Sequence, residues 1–393
     1  MKRAPPHPHI TWVDLAPPPA GTTWGDLSGA GRVRFTYSGR AAIFQILRQL
    51  NAQPGRDRRR TTVLIPAFHC PTVVDPVLHA GFDVRFFAID RDLRVVQDDL
   101  LRKLDDKVAA AIFIRYFGFA EDLRKLFQAV RDAGAMVIED RSHSFISAGP
   151  LRLARGDADV TTYSFWKLIP CFVGGGILPS DDSILPSIAR LSGPSASDSL
   201  ARVRAMTSQL FAPQTELLSD LTERLVGREH RTFVPKPTIR KSAAESYPYD
   251  ETAAEWRMPT FARFILARAN LQYVADARRR NFTKFADVLI ATGEMSPIYR
   301  RLDSDVCPWG FPVRIRKRQE RDYLLHAKGV PVYTFGEVLH PLLCSRHATE
   351  ASMLGAARYL SESLLALSIH QGFAEAQVER FALSVNEFVG ALR

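Results

Sequence analysis

Short apolar runs alternate with amphipathic segments from Ser38 to about Leu178. Runs rich in β-branched and aromatic residues predict strands at 62–66, 83–90, 108–118, 135–140, 157–165 and 174–180. Apolar residues at helical spacing predict helices at 40–50, 72–81 and 121–134. This alternation is typical of an α/β fold whose mostly parallel central sheet is flanked by helices on both faces.

The chain beyond residue 191 has a different pattern. Residues 192–249 combine a Ser-rich turn, a helical segment and a polar, basic loop, and residues 258–289 have the spacing of one long connecting helix. The elements predicted after it are strands at 311–315 and 330–335 and amphipathic helices at 348–367 and 375–392. The expected parts are a proline-rich, poorly ordered lead-in at 1–33, a large domain at 34–257, and the connecting helix with a smaller α+β C-terminal domain at 258–393.

Composition narrows the class of protein. With 46% hydrophobic and 24% charged residues, the chain is typical of a globular protein, and it has no run of about 18 apolar residues that would predict a membrane span. The basic N-terminus lacks the apolar segment of a secretory signal. The four cysteines are widely spaced without a CxxC pair, so we expect reduced thiols in the cytoplasm and no metal site.

The formal charge of +10 suits an acidic partner, either a nucleic acid or a phosphorylated small molecule. Many of the arginines are scattered over predicted helices, and short runs such as 56–60 and 277–280 are not accompanied by a nucleic-acid-binding motif. We therefore expect small-molecule substrates and neither a nucleic-acid nor a membrane partner.

Ligands of such sheets bind beyond the carboxyl ends of the strands, so the residues that follow the strands are the candidates for a site. Ser38, Gly39 and Arg40 stand directly before a helix, where free N–H groups suit a phosphate. The same pattern is also that of an ordinary helix cap. His69 and Cys70 lie in the turn after the first core strand, although a lone loop histidine is more often structural than catalytic.

Two ionisable residues follow later strands. Asp140 ends the apolar run at 135–140, and a carboxylate buried there needs a cation as partner, unless it only caps the next segment. Lys167 has apolar neighbours at 165–169, where desolvation would lower its pKa and suit it to Schiff-base formation. A surface lysine at a strand end is the alternative.

The order of these motifs resembles the DegT-type sugar aminotransferases, which belong to the fold-type I enzymes that depend on pyridoxal 5'-phosphate (PLP). The segments that carry the resemblance include SGRAA at 38–42, VIEDRSHS at 137–144 and YSFWKLIPCFVGGG at 163–176, and the resemblance covers roughly residues 34–393. It implies the fold-type I transferase fold, with a mostly parallel sheet and a smaller C-terminal domain.

The resemblance also implies a role for each matched position. Lys167 would hold PLP through its amino group and later move the proton, and Asp140 would pair with the pyridinium nitrogen. His143 stands where the family has Gln or His near the ring hydroxyl. The residues implied to bind the phosphate are Ser164, Ser38, Gly39 and Arg40.

One departure from the family pattern concerns the cofactor ring. Cys70 stands where many members place an aromatic side chain over PLP, and a thiol cannot stack in this way. His69 or Phe68 is then the expected source of a stacking ring.

Other departures concern charge and spacing. Arg141 and Ser142 replace the usual pair of alanines, and Ser164 is closer to Lys167 than in the commonest pattern. The family often has an asparagine before an Arg-Met pair that reaches the phosphate of the partner subunit. Here Glu255 and a tryptophan precede that pair, and a glutamate would repel phosphate.

The resemblance implies a homodimeric aminotransferase with a ping-pong mechanism, which takes an amino group from glutamate and passes it to a nucleotide-linked keto sugar. The departures motivate an aminotransferase that acts on a non-sugar ketone in secondary metabolism as an alternative. A non-catalytic PLP-fold partner protein is a third possibility, against which the presence of both Lys167 and Asp140 argues.

Overall fold

The computed structural model describes residues 5–16, 21–181, 191–226, 249–345 and 351–392. The strands of its N-terminal part are β1 (Arg34–Thr36), β2 (Thr62–Pro66), β3 (Asp83–Phe87), β4 (Val108–Ile114), β5 (Met136–Asp140), β6 (Ile146–Ala148), β7 (Leu151–Leu153), β8 (Val160–Ser164) and β9 (Gly175–Pro179). The helices of this part are α1 (Trp12–Leu15), α2 (Gly39–Ala52), α3 (Val74–His79), α4 (Gln97–Arg102), α5 (Arg124–Asp132) and α6 (Ala196–Val226).

Seven strands form the central sheet in the order β1-β9-β8-β5-β4-β2-β3. The five strands from β8 to β3 are mutually parallel, whereas β9 runs antiparallel to both β8 and β1. Strands β2, β8 and β9 are buried along their whole length, as expected for strands covered on both faces. The six strands predicted for this part are all present, and the α/β class is confirmed.

The C-terminal part contains a second, antiparallel sheet with the order β10-β11-β13-β12. Its elements are α7 (Glu251–Ala254), α8 (Thr260–Arg268), α9 (Leu271–Val288), β10 (Met295–Pro297), β11 (Gly310–Ile315), α10 (Arg318–Ala327), β12 (Val332–Tyr333), α11 (Pro341–Ser345), α12 (Ala351–Ser363), β13 (Leu364–Ser368) and α13 (Glu375–Gly390). The long helices α9 and α13 pack against each other. The domain boundaries expected from the sequence stay predictions.

Two predictions for the C-terminal part were wrong. The single helix expected at 258–289 is two helices, because Ala269 is extended and the Asn270 side chain caps the second helix by accepting a hydrogen bond from the Tyr273 N–H at 3.0 Å. The helix expected at 348–367 ends at Ser363, and the next five residues form β13, a fully buried strand that pairs with β11 and β12. The apolar residues of this segment have helical spacing, but the segment forms a strand because both of its faces are buried within the sheet.

The described parts of the N-terminal lead-in are packed against the rest of the protein. Ile10 is 1% exposed, and Trp24 and Leu27 are buried in the same core as the central sheet. Trp24 makes ring contacts with Phe145 and Phe165. The proline content that predicts poor order therefore does not prevent these residues from packing.

The polar, basic loop expected at 233–250 lies, apart from its last two residues, outside the residues that the structure describes. Among the helices that the structure describes, none has both the length and the apolar character needed to cross a membrane.

Strand β9 passes close to the start of α2, and Gly175 makes this approach possible. A Cβ at Gly175 would lie 2.2 Å from the carbonyl carbon of Ser38 and 2.6 Å from the nitrogen of Gly39. The turn before α2 can therefore lie against β9 only where the strand has no side chain.

We predict that Gly175→Ala lowers the free energy of unfolding by about 1–3 kcal/mol, because the new methyl group overlaps backbone atoms that cannot move independently. Gly293→Ala is the matched control, since Gly293 is exposed and a Cβ added there would have no neighbouring atom within 4 Å. Urea denaturation measures both variants. Equal stability of the two would contradict the close approach.

Candidate active site

A cavity of about 560 Å³ opens at the carboxyl ends of the central strands, beside the start of α2. A pocket of about 40 Å³ adjoins it and shares several lining residues with it. The structure places every site residue expected from the sequence on these two spaces. Those on the larger cavity are Ser38, Gly39, Arg40, Cys70, Ser164 and Lys167, and those that reach only the smaller pocket are Asp140 and His143.

The start of α2 forms a seat for an anion. Ser38 caps the helix, and its Oγ accepts a hydrogen bond from the Ala41 N–H at 3.1 Å. A Cβ on Gly39 would lie 3.0 Å from Ser142 Oγ and 3.4 Å from Ser164 Cβ. Serine side chains from three segments therefore surround a helix N-terminus, where the N–H groups and the helix dipole favour negative charge.

Asp140 is a buried carboxylate at the end of β5, only 5% exposed. Its Oδ1 accepts hydrogen bonds from the Ser142 N–H at 2.8 Å and from Thr162 Oγ1 at 3.4 Å. Within the described ranges of the chain, no lysine, arginine or histidine forms an ion pair with it. A carboxylate buried in this way gains strongly from a cation in the adjoining pocket.

The neighbouring Glu139 has the opposite environment. Its carboxylate is fully buried and pairs with Arg115 at 2.5 Å and Arg141 at 2.8 Å, and it also accepts a hydrogen bond from the Gly156 N–H at 2.9 Å. Burial raises the pKa of Glu139, but the two arginines outweigh it and bring the pKa to about 2. Arg141, one of the departures from the family pattern, is thus a partner of Glu139.

Lys167 ends the short 3₁₀ turn Phe165–Lys167, which follows β8. Its Nζ lies 4.8 Å from the centre of the Trp309 ring. Burial lowers the pKa of Lys167, while the negative charge of Asp140 opposes that effect. An amine in this environment is more readily deprotonated than one in water, which favours nucleophilic attack.

Buried polar side chains hold the backbone around Lys167. Arg278 donates to the carbonyl of Lys167 at 3.4 Å and to the carbonyl of Trp309 at 2.9 Å. Gln371 accepts from Arg278 at 3.1 Å and donates to the carbonyl of Leu168 at 2.8 Å. The lysine turn is therefore tied to the C-terminal part.

His143 is a neutral side chain on the floor of the smaller pocket. Its Nδ1 accepts a hydrogen bond from the Phe117 N–H at 2.9 Å, so the ring proton lies on Nε2. Burial and then the charge of Lys167 hold the pKa of His143 well below its usual range. Its ring packs against Trp309 and Phe335, at 4.3 and 4.6 Å between ring centres.

The expected source of a stacking ring was wrong. His69 stacks on Phe86 at 5.3 Å and bonds through Nδ1 to the Pro66 carbonyl, and Phe68 is buried in the core, so neither lines the cavity. Cys70 does line it, and its Sγ accepts a hydrogen bond from Thr72 Oγ1 at 3.1 Å.

Glu255 has a cationic partner within the chain. Its carboxylate forms an ion pair with Arg48 and accepts a hydrogen bond from Gln45 Nε2 at 3.4 Å. It is not among the residues that line the cavity of this chain. Its expected effect on the phosphate of a partner subunit stays a prediction.

Several cavity residues were not identified from the sequence. On one wall Tyr37 donates to Asp198 Oδ1 at 2.6 Å and accepts from Arg202 at 3.2 Å. Other such residues on the cavity include His7, Thr72, Ser142, Trp166, Asp250, Trp309, Tyr333 and Phe335. Apart from Thr72, Ser142 and Trp166, these come from segments far from the recognised motifs, and no local pattern identifies them.

Comparison with known proteins shows which family the chain resembles. The sequence profile of the DegT/DnrJ/EryC1/StrS aminotransferase family matches residues 25–211. The resemblance inferred from the motifs is therefore confirmed.

Two curated relatives match part of the chain. The dTDP-4-dehydro-2,3,6-trideoxy-D-glucose 4-aminotransferase of Saccharopolyspora spinosa is 23% identical over 215 residues, which are 53% of this chain and 54% of the relative. The GDP-perosamine synthase of Vibrio cholerae is 27% identical over 132 residues, 33% of this chain and 36% of the relative. The chain thus matches about half, or less, of the length of these relatives.

Solved structures share the fold over nearly the whole chain. The sugar aminotransferase CalS13 from Micromonospora echinospora has a TM-score of 0.61 and 17% identity, and the match covers 97% of this chain and 98% of CalS13. The protein Spr1654 from Streptococcus pneumoniae, in its PMP form, has a TM-score of 0.64 and 15% identity. This match covers 100% of this chain and 99% of Spr1654. The fold is therefore that of these PLP-dependent proteins.

We predict that Glu139→Gln lowers the free energy of unfolding at neutral pH by roughly 3 kcal/mol, because the buried Arg115 and the partly buried Arg141 lose their counter-charge. The pKa of Glu139 is about 2 in the folded protein, below its value of roughly 4.3 in an unfolded chain. Its contribution is therefore complete above pH ~4.3 and is lost as the pH falls towards the folded value. The free energy of unfolding of the Glu139→Gln variant should therefore lack this part of the decrease at acidic pH.

Asp122→Asn is the matched control, because the Asp122–Arg124 pair is exposed and screened by solvent, so its loss should change the stability much less. Urea denaturation at several pH values compares the variants. A loss for Glu139→Gln no larger than that of the control would contradict the buried network.

Proposed function

We propose that this member of the DegT/DnrJ/EryC1/StrS aminotransferase family is a PLP-dependent aminotransferase that transfers an amino group to a nucleotide-linked keto sugar. Glutamate serves as the donor, and the two half-reactions follow one another in a ping-pong mechanism. The observation that carries the proposal is the buried Asp140, which has no ion-pair partner among the described residues and faces the same small pocket as Lys167.

The residues present fit PLP. Asp140 would hold a protonated pyridine nitrogen, and the seat formed by Ser38, Ser142 and Ser164 at the start of α2 would hold the phosphate. When bound, PLP supplies an electron sink beside the carbon that carries the amino group. His143, on the floor of the same pocket, keeps one proton on Nε2 for a hydrogen bond to the ring hydroxyl.

Lys167 performs the proton transfers in this proposal. Its Nζ would hold PLP, and as a neutral amine it would accept the proton from the substrate carbon that carries the amino group and later donate a proton to the keto carbon of the acceptor. Burial lowers the pKa of Lys167, which favours the neutral amine that can accept a proton. Arg278 fixes the backbone of the turn, so the amine keeps its position relative to Asp140.

Several observations support a nucleotide-linked acceptor. Both curated relatives bear names of enzymes that form or use nucleotide-linked amino or keto sugars. Arg40 and Arg202 line the cavity, and guanidinium groups suit the geometry of phosphate. The cavity of about 560 Å³ is also within the range of small-molecule sites.

A non-sugar ketone is the second candidate acceptor. The position of Cys70 on the cavity wall, where many members have an aromatic ring, favours it. Screening dTDP-, GDP- and UDP-linked keto hexoses beside simple ketones separates the two candidates. Turnover of simple ketones alone would favour the second.

We also propose that the protein is a cytoplasmic homodimer. The four cysteines form no disulfide, which suits a reducing compartment. Leu200 and Phe211 on α6 and Trp12 on α1 expose large apolar surfaces, and the rings of Trp12 and Phe211 are 5.4 Å apart. A self-association surface would cover such side chains.

We predict that the wild type incubated with PLP shows the visible absorbance of a lysine-bound cofactor, and that glutamate bleaches it. Lys167→Ala should show neither the absorbance nor measurable amino transfer, because the attachment point and the proton carrier are lost. Asp140→Asn should keep the absorbance but transfer amino groups roughly 10²–10³-fold more slowly, since the ring loses its charged partner. Absorbance spectra and single-turnover kinetics measure these effects.

Lys125→Ala is the control, because Lys125 is exposed on α5, away from the cavity. It should match the wild type in both measurements. A wild type without the visible absorbance would contradict the proposed function and favour a non-catalytic protein.

A further inference from the structure

Residues 5–10 form a segment, the N-terminal strap, that joins the C-terminal part to α6. The Pro6 carbonyl accepts a hydrogen bond at 2.6 Å from Ser368, the last residue of β13. The Pro5 carbonyl accepts one at 3.1 Å from His370, two residues beyond that strand. At its other end Ile10 is buried, and its N–H donates to Gln209 Oε1 on α6 at 3.2 Å. The strap is therefore anchored at both ends, and residues 7–9 lie between the two anchors.

His7 lies between these anchors and lines the cavity that contains Lys167. Its ring centre is 5.4 Å from Trp166, in an edge-on contact, and 5.3 Å from Tyr333. The ring is nearly parallel to that of Trp309, at 6.4 Å. Aromatic rings thus hold the imidazole, and within the described part of the chain no hydrogen bond to its ring nitrogens is present.

Burial, together with the positive charges nearby, keeps the imidazole of His7 neutral. Burial lowers the pKa of His7 to about 4, and the positive charges of Arg278, Lys167 and then His9 act in the same direction. A neutral imidazole donates one hydrogen bond and accepts another. It suits hydroxyl groups better than the carboxylate of an amino donor.

We propose that His7 is a specificity-determining residue that hydrogen-bonds a hydroxyl group of the acceptor sugar bound beside Lys167. Trp166, Trp309 and Tyr333 line the cavity around His7 and make its wall aromatic, which suits the apolar C–H groups of a sugar ring, and His7 supplies the polar contact that fixes the orientation of that ring. This inference rests on the proposed function and adds to it the part of the chain that selects the acceptor.

The test compares the wild type with His7→Ala, His7→Asn and His9→Ala, each loaded with PLP. Two quantities are measured: the rate at which glutamate bleaches the visible absorbance, and KM and kcat for a nucleotide-linked keto hexose that the wild type accepts. His9→Ala is the matched control, because His9 is an exposed histidine of the same strap and does not line the cavity.

His7→Ala should raise the acceptor KM roughly tenfold with a smaller change in kcat, as expected for the loss of one hydrogen bond. The glutamate half-reaction should stay within about twofold of the wild type, which also shows that the variant is folded. His7→Asn, which can still form a hydrogen bond, should recover part of the affinity, and His9→Ala should match the wild type.

An unchanged acceptor KM in His7→Ala would overturn the inference and leave the proposed function intact. A glutamate half-reaction slowed as much as the acceptor half would also overturn it, because His7 would then not discriminate between the substrates. If glutamate bleaches the absorbance but no dTDP-, GDP- or UDP-linked keto hexose is aminated, the sugar acceptor and this inference both fail. Absence of the visible absorbance in the wild type contradicts the proposed function itself.

Discussion

The charge of Asp140 is the constraint on which the candidate site depends. A carboxylate buried at the end of a parallel strand is costly unless a cation compensates it. Glu139, one residue earlier, satisfies this requirement through Arg115 and Arg141, whereas Asp140 has hydrogen bonds on Oδ1 and an adjoining pocket. Adjacent carboxylates on opposite faces of one strand therefore serve different purposes: one holds the structure, and the other is placed for a ligand.

The geometry around that pocket depends on close packing between distant segments. Gly175 lets β9 lie against the turn that begins α2, and Gly39 brings that turn against Ser164. Arg278 connects the turn that contains Lys167 to the C-terminal part, because it donates a hydrogen bond to the carbonyl of Lys167. The anion seat, the carboxylate and the lysine are therefore positioned by three separate parts of the chain, which suits a cofactor that contacts all of them at once.

Six of the nine strands that the structure describes in the N-terminal part could be predicted from the sequence, because buried strands are continuous apolar runs, whereas the three-residue strands β1, β6 and β7 could not. The eight candidate residues are expected near the carboxyl ends of such strands, and the structure places them on one cavity and its adjoining pocket. Properties set by tertiary contacts could not be predicted. Asn270 interrupts an apolar spacing that looks like one helix, and Leu364–Ser368 becomes a strand because β11 and β12 flank it. The wall that contains His7 depends on contacts between residues more than a hundred positions apart, which no local pattern records.

The attachment of PLP to Lys167 is the central claim, and chemical trapping tests it most directly. The protein is incubated with PLP and reduced with borohydride, and its peptides are then mapped by mass spectrometry. We expect a phosphopyridoxyl group on the peptide that contains Lys167 and on no other lysine peptide in stoichiometric yield. A stoichiometric label on a different lysine, or no label at all, would contradict the account.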